Sequence, residues 1–159
     1  VYENIDWIVQ GKGFTFPQSQ LQLLENVNKL ETGDARVLVD PSFLELDDTT
    51  PFVSIIVNKP MFLSGRGILE SHNIPTKKRE SIRLSVLKDN SPLFLAEILL
   101  KNNIGLILMS SRDYLATTES AQFVDIIAKG SSSKVIRVSN DNLRTFIDTM
   151  KKKEKMNEK

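Results

Sequence analysis

The feature that most limits what this chain can fold into is a succession in its second half. Ser91 and Pro92 occupy the favoured N-cap and first-turn positions of a helix, PLFLAEILLKNN. IGLILMS, residues 104–110, follows as a buried strand. SAQFVDIIAK, residues 120–129, reads as a second helix stopped by Gly130. KVIRVS, residues 134–139, is a further strand, and Asn140 or Asp141 caps a last helix, NLRTFIDTMKKKEK, which frays into charge. This alternation predicts an α/β domain with a central, mostly parallel sheet flanked by helices.

The first half is less regular. GKGFTFP, residues 11–17, is a loop signal. Leu21, Leu24, Val27 and Leu30 then recur at three-residue steps, as in an amphipathic helix capped by Gln18 or Ser19 and stopped at Thr32, Gly33 and Asp34. ARVLVD, residues 35–40, is a short apolar run, and the acidic, Thr-rich DDTTP breaks the pattern. FVSIIVN, residues 52–58, is rich in β-branched residues and reads as a buried strand. Pro60 interrupts it, so MFLSG is a separate extension or an edge strand. Residues 66–80 read as a long loop that turns basic toward its end.

Bulk properties narrow the function. The 159 residues fit one domain, and the absence of cysteine removes disulfides, thiolate catalysis and cysteine-bearing zinc sites. A net charge of +1 gives no strong global field, so any nucleic-acid affinity would be weak and confined to a local patch. No apolar run is long enough to span a bilayer. The chain begins at Val1, which reads as a fragment of a longer protein. No P-loop, G-x-G-x-x-G or G-x-S-x-G occurs, so no cofactor is expected, and the lone His72 reads as a solvated loop residue.

Two constellations remain. In MFLSGRG, residues 61–67, the Ser64 hydroxyl and Gly65 amide at a strand end could both donate to a phosphate oxygen; a strand-terminating turn is the other reading. Arg66, Lys77, Lys78 and Arg79 supply cations nearby, with Arg83 beyond them. The second constellation is Asp40, Asp89 and Asp113, which would serve as metal ligands if they met at the ends of neighbouring parallel strands. VLVDPSFL resembles the opening strand of PIN-domain nucleases, and IGLILMSSRDY their later strand-then-acid element. The expected intervening helix offers no acidic ligand, since Glu70 and Glu80 fall in the 66–80 loop.

From MFLSGRG onward the order resembles a divergent BRCT domain. Ser64 and Gly65 stand where that family's first strand ends in Ser-Gly or Thr-Gly, and residues 92–102 stand as its first helix. A third strand near residues 114–117 and a second helix near 121–129 would follow. KVIRVSNDNLRTFI resembles the closing strand, turn and helix, with Val138, Leu143 and Ile147 at the apolar positions. Asn142 stands in place of the family's Trp, Asn102 and Asn103 in place of its paired glycines, and no Lys lies near Ala121.

The resemblance implies a nuclear, non-enzymatic module of a chromatin, silencing or DNA-replication protein that binds peptide segments of partners, phosphorylated or unmodified. Ser64 and Gly65 would hold the phosphate, with Lys77, Lys78 or Arg79 replacing the missing Lys. Residues 1–50 would be a helical extension packed on the core, 51–150 the BRCT-like domain and 151–159 a charged tail. The alternative is a PIN-like, metal-dependent ribonuclease domain, active or degenerate. The two readings ask different things of RVLVD: an edge or outside position for the first, and a place inside the sheet for the second.

Overall fold

The computed structural model describes residues 18–43, 50–88, 91–110, 122–130 and 133–157. Its elements are α1 (Gln18–Asn28), β1 (Arg36–Val39), α2 (Thr50–Ile56), α3 (Arg66–Ser71), α4 (Lys77–Leu87), α5 (Pro92–Lys101), β2 (Ile104–Ser110), β3 (Val124–Lys129), β4 (Ser133–Val138) and α6 (Asn140–Asn157). The four strands form one sheet in the order β1-β2-β4-β3. β1 and β2 are parallel, whereas β4 runs antiparallel to both β2 and β3. The sheet is therefore mixed, and the expectation of a mostly parallel one is corrected. Its cause lies in the short β3–β4 connection, where Gly130 N–H donates to the Ser133 carbonyl at 2.6 Å. A turn this short can only join antiparallel neighbours.

Alternation along the strands sorts the core onto two faces. Val37, Val39, Leu106, Leu108 and Val135 meet Leu23, Leu24 and Val27 of α1 and Val53 of α2. Leu38, Ile107, Met109, Ile136 and Val138 meet Leu95, Ala96 and Leu99 of α5 and Leu143, Phe146 and Ile147 of α6. Phe123 joins this second face with its ring 5.1 Å from that of Phe146. Helices thus cover both faces, and all seven residues of β2 are buried, as a central strand requires. Among the described residues no helix is long and apolar enough to cross a membrane.

Three further expectations are overturned. FVSIIVN is not a strand: α2 occupies Thr50–Ile56, with Pro51 at its first turn. The buried residues Thr50, Val53 and Val57 recur at helical steps of three and four, while Ile55 is 81% exposed. One face of a helix was sufficient, and β propensity yielded to it. SAQFVDIIAK is not a helix over its described part. Val124–Lys129 forms the edge strand β3, consistent with its β-branched Val124, Ile126 and Ile127 and the turn that follows. The BRCT-like second helix expected at 121–129 is therefore absent from the described residues, and the third strand expected at 114–117 lies outside them. Finally, residues 66–80 are not a loop but hold α3 and the start of α4. Asn73, in left-handed backbone at φ 55°, and Pro75 separate the two helices.

Other signals agree with the fold. Ser91 Oγ accepts the Phe94 N–H at 3.3 Å with Pro92 behind it, so α5 begins where its cap and proline direct. The cap expected at Asn140 or Asp141 is corrected: both lie inside α6, and the capping hydroxyl is that of Ser139, which accepts the Asn142 N–H at 3.3 Å.

Candidate functional site

MFLSG takes an edge position, but only by a single contact. The Val37 N–H donates to the Pro60 carbonyl and the Phe62 N–H to the Val37 carbonyl, both at 2.8 Å. Met61 thereby makes one parallel bridge to the outer side of β1. Phe62 and Leu63 then plunge into the core. Ser64 Oγ donates to Ser54 Oγ at 3.3 Å, turning toward α2. Gly65 stands just before α3, and a Cβ there would lie 2.5 Å from Pro51 Cγ. Its missing side chain is what lets the start of α3 press against the start of α2. The packing of Gly65 thus accounts for one of the two glycines in MFLSGRG. Arg66 opens α3, and its side chain lies outside the described part of the structure.

The basic run is organised by α4. Lys77, Lys78 and Arg79 fill its first turn and are all exposed. Thr76 precedes the helix without capping it, because its hydroxyl donates instead to Glu70 Oε1 at 2.8 Å. Three cations at a helix N-terminus run against the dipole, which favours negative charge there. Glu80 is the acidic residue of that turn, but its carboxylate faces Arg83. Arg79 Nη1 donates to the Phe62 carbonyl at 3.3 Å, which joins this turn to the chain two residues before Ser64. Beside it lies an open groove of ≈ 790 Å³ walled by Glu70, Asn73, Thr76, Lys77, Lys78 and Arg79. Ile74, 48% exposed, adds an apolar surface to it.

The structure therefore brings Arg79 to the MFLSG segment and sets Lys77 and Lys78 along the adjoining groove. It does not turn the Ser64 hydroxyl toward them. His72 is exposed at the end of α3, as a solvated residue.

Arg83 departs from the basic patch altogether. It is 3% exposed; Nη1 donates to Thr50 Oγ1 at 3.2 Å, and Nη2 donates to Glu80 Oε1 at 2.7 Å. It pins α4 to the first residue of α2. The i, i+3 spacing of Glu80 and Arg83 on a helix was the available signal, hidden while the segment read as a loop.

Asp40 directly follows β1 and is 5% exposed. Its Oδ1 accepts the Ser42 N–H and Oγ–H, both at 2.9 Å, and Oδ2 accepts the Ser110 N–H at 3.4 Å. The side chain forms a turn and ties together the C-terminal ends of the parallel strands β1 and β2. Asp89 and Asp113 lie outside the described residues. Among the described residues, no three His, Asp or Glu groups gather as metal ligands would.

No protein-family model matches the chain, and neither a curated protein nor a solved structure matches it.

Proposed function

We propose that this chain is a non-enzymatic protein-interaction module that takes a phosphorylated peptide segment of a partner into the groove at the start of α4. The observation that carries this reading is the unusual first turn of α4. Lys77, Lys78 and Arg79 cluster where backbone N–H groups already favour an anion, and Thr76 leaves that end without a side-chain cap. Lys and Arg hold phosphate by charge-assisted hydrogen bonds, and exposed Ile74 offers a contact for a flanking apolar residue. Arg79 bonds the Phe62 carbonyl, so Ser64, Gly65 and Arg66 follow this link along the chain, with the Ser64 hydroxyl turned to Ser54 rather than into the groove. The BRCT resemblance supplies the setting, a nuclear chromatin or DNA-maintenance protein. It rests on α5, β2, β4 and α6, and the antiparallel β4 departs from it.

The test is an amide-shift NMR titration with a phosphoserine and phosphothreonine peptide pool, beside the same pool dephosphorylated. Phosphate-dependent shifts at Lys77, Lys78 and Arg79, weakened by added salt and lost in Lys77→Glu/Lys78→Glu, are expected. Identical responses to the two pools would overturn the reading. A second reading, a PIN-like nuclease, draws on one observation: Asp40 sits where two parallel strands end side by side. Shifts at Asp40 and Ser110 on adding Mn²⁺ would favour it.

A further inference from the structure

Another site lies at the end of the parallel strands away from Asp40, and it shares no residue with the groove at α4. Because β4 runs against β1 and β2, its C-terminal end and the start of α6 come beside the first residues of β1 and β2. The parallel ladder slips there: Arg36 pairs with Ile104 but Val37 pairs with Leu106, so Gly105 is an extra residue. A bulge of this kind interrupts the ladder and re-aims the backbone. A pocket of ≈ 200 Å³ opens around it, walled by Glu31, Thr32, Gly105, Arg137 and Asn140. That is room for several waters, at ~30 Å³ each.

Two oxygens of the wall are buried without a hydrogen-bond partner, Thr32 Oγ1 and Asn140 Oδ1. Buried polar atoms are usually hydrogen-bonded, and these two, from different elements, face one small pocket as acceptors that a bound polar molecule would satisfy. The charges in the wall define it further. Arg137 and Glu31 both line the pocket, and neither forms an ion pair with a described residue. Asp125, directly opposite Arg137 on β3, is not bonded to it either. An amide oxygen and a carboxylate call for N–H donors, and a guanidinium calls for an anion. A simple carboxylate would leave Asn140 Oδ1 unmet, and a simple amine would leave Arg137 unmet.

We propose that this pocket binds a small zwitterion of amino-acid size. Its carboxylate pairs with Arg137. Its ammonium donates to Thr32 Oγ1 and Asn140 Oδ1 within reach of the Glu31 charge.

The experiment titrates the ¹⁵N-labelled chain separately with glycine, acetate and methylammonium. Saturable shifts at Thr32, Gly105, Arg137 and Asn140 are expected with glycine. Acetate and methylammonium, which each lack half of the recognised group, should bind at least about tenfold more weakly. Arg137→Gln, at an exposed position, should weaken glycine by a similar factor while leaving the rest of the spectrum in place. Asn140→Ala should do the same, and Lys77→Glu/Lys78→Glu should leave glycine binding unchanged. Unsaturable shifts, equal responses to the three compounds, or glycine binding indifferent to Arg137→Gln would each overturn the proposal.

Discussion

Gly105→Ala places a methyl carbon 2.6 Å from the Ala35 Cβ. Carbon atoms in contact stand ~3.5–4.0 Å apart, so about 1 Å of separation is missing. The obstruction is a methyl fixed directly to the backbone, not the movable end of a long side chain. Ile104 and Leu106 on either side of Gly105 are fully buried, so the strand has little freedom to shift away from Ala35. Overpacking of this kind costs about 1–3 kcal/mol. For a chain of this size each kcal/mol lowers Tm by about 2–4 °C.

The compensating change is Ala35→Gly. Alone it removes a buried methyl, worth about 0.8 kcal/mol, and loosens the unfolded backbone by a further 0.5–1 kcal/mol or so. With that methyl gone, the next atom met by a residue-105 Cβ is the Ala35 Cα at 4.0 Å, an ordinary contact. The new methyl then occupies the space the old one left. The double variant should therefore be no less stable than Ala35→Gly alone, giving a favourable coupling of about 1–3 kcal/mol. Urea denaturation of the four proteins, followed by far-ultraviolet circular dichroism, measures it. Strictly additive losses, or a neutral Gly105→Ala, would refute the packing described at the bulge.

Glu80→Gln should destabilise the fold by about 3 kcal/mol in chemical denaturation, because it leaves the buried Arg83 guanidinium facing a neutral group. Adding Arg83→Met should recover part of that loss, and no recovery would mean the pair is not what ties α4 to α2. Ser91→Ala should cost about 1 kcal/mol by freeing the Phe94 N–H at the start of α5, and Ser91→Asp should retain the cap. Lys151 bonds Glu97 at 2.7 Å across α6 and α5, and the Glu97 hydrogen bond and then its charge raise the Lys151 pKa above 10.5. Whatever the pair contributes is fully present below pH 10.5 and is lost as pH rises through the raised value. In Glu97→Gln the Lys151 midpoint, followed by NMR, should fall back toward the ordinary lysine value. With both side chains about half exposed, stability at neutral pH should barely change.

Elements with strong local signals were legible from residues alone. IGLILMS is the fully buried β2, Ser91 and Pro92 open α5, and KVIRVS with the helix after it are β4 and α6. A cap, a proline at the first turn and an unbroken apolar run act within a few residues, so sequence by itself determines them. The clustering of Lys77, Lys78 and Arg79 was legible for the same reason, as neighbours along the chain.

What tertiary structure decided is whatever depends on distant partners. FVSIIV and FVDIIA are nearly the same kind of segment, yet the first lies in a helix over one face of the sheet and the second is an edge strand beside β4. Their propensities differ too little to choose, and the surface each covers makes the choice. Strand direction is equally silent in a strand's own residues, so the antiparallel β4 followed from its turn and its neighbours. Gly65 needs Pro51, Gly105 needs Ala35 at a bulge 70 residues away in sequence, and Arg83 leaves the basic patch for Thr50. Each side chain acquires its role only when folding brings that partner within a few ångströms, because packing and hydrogen bonding act at contact distance whatever the separation along the chain.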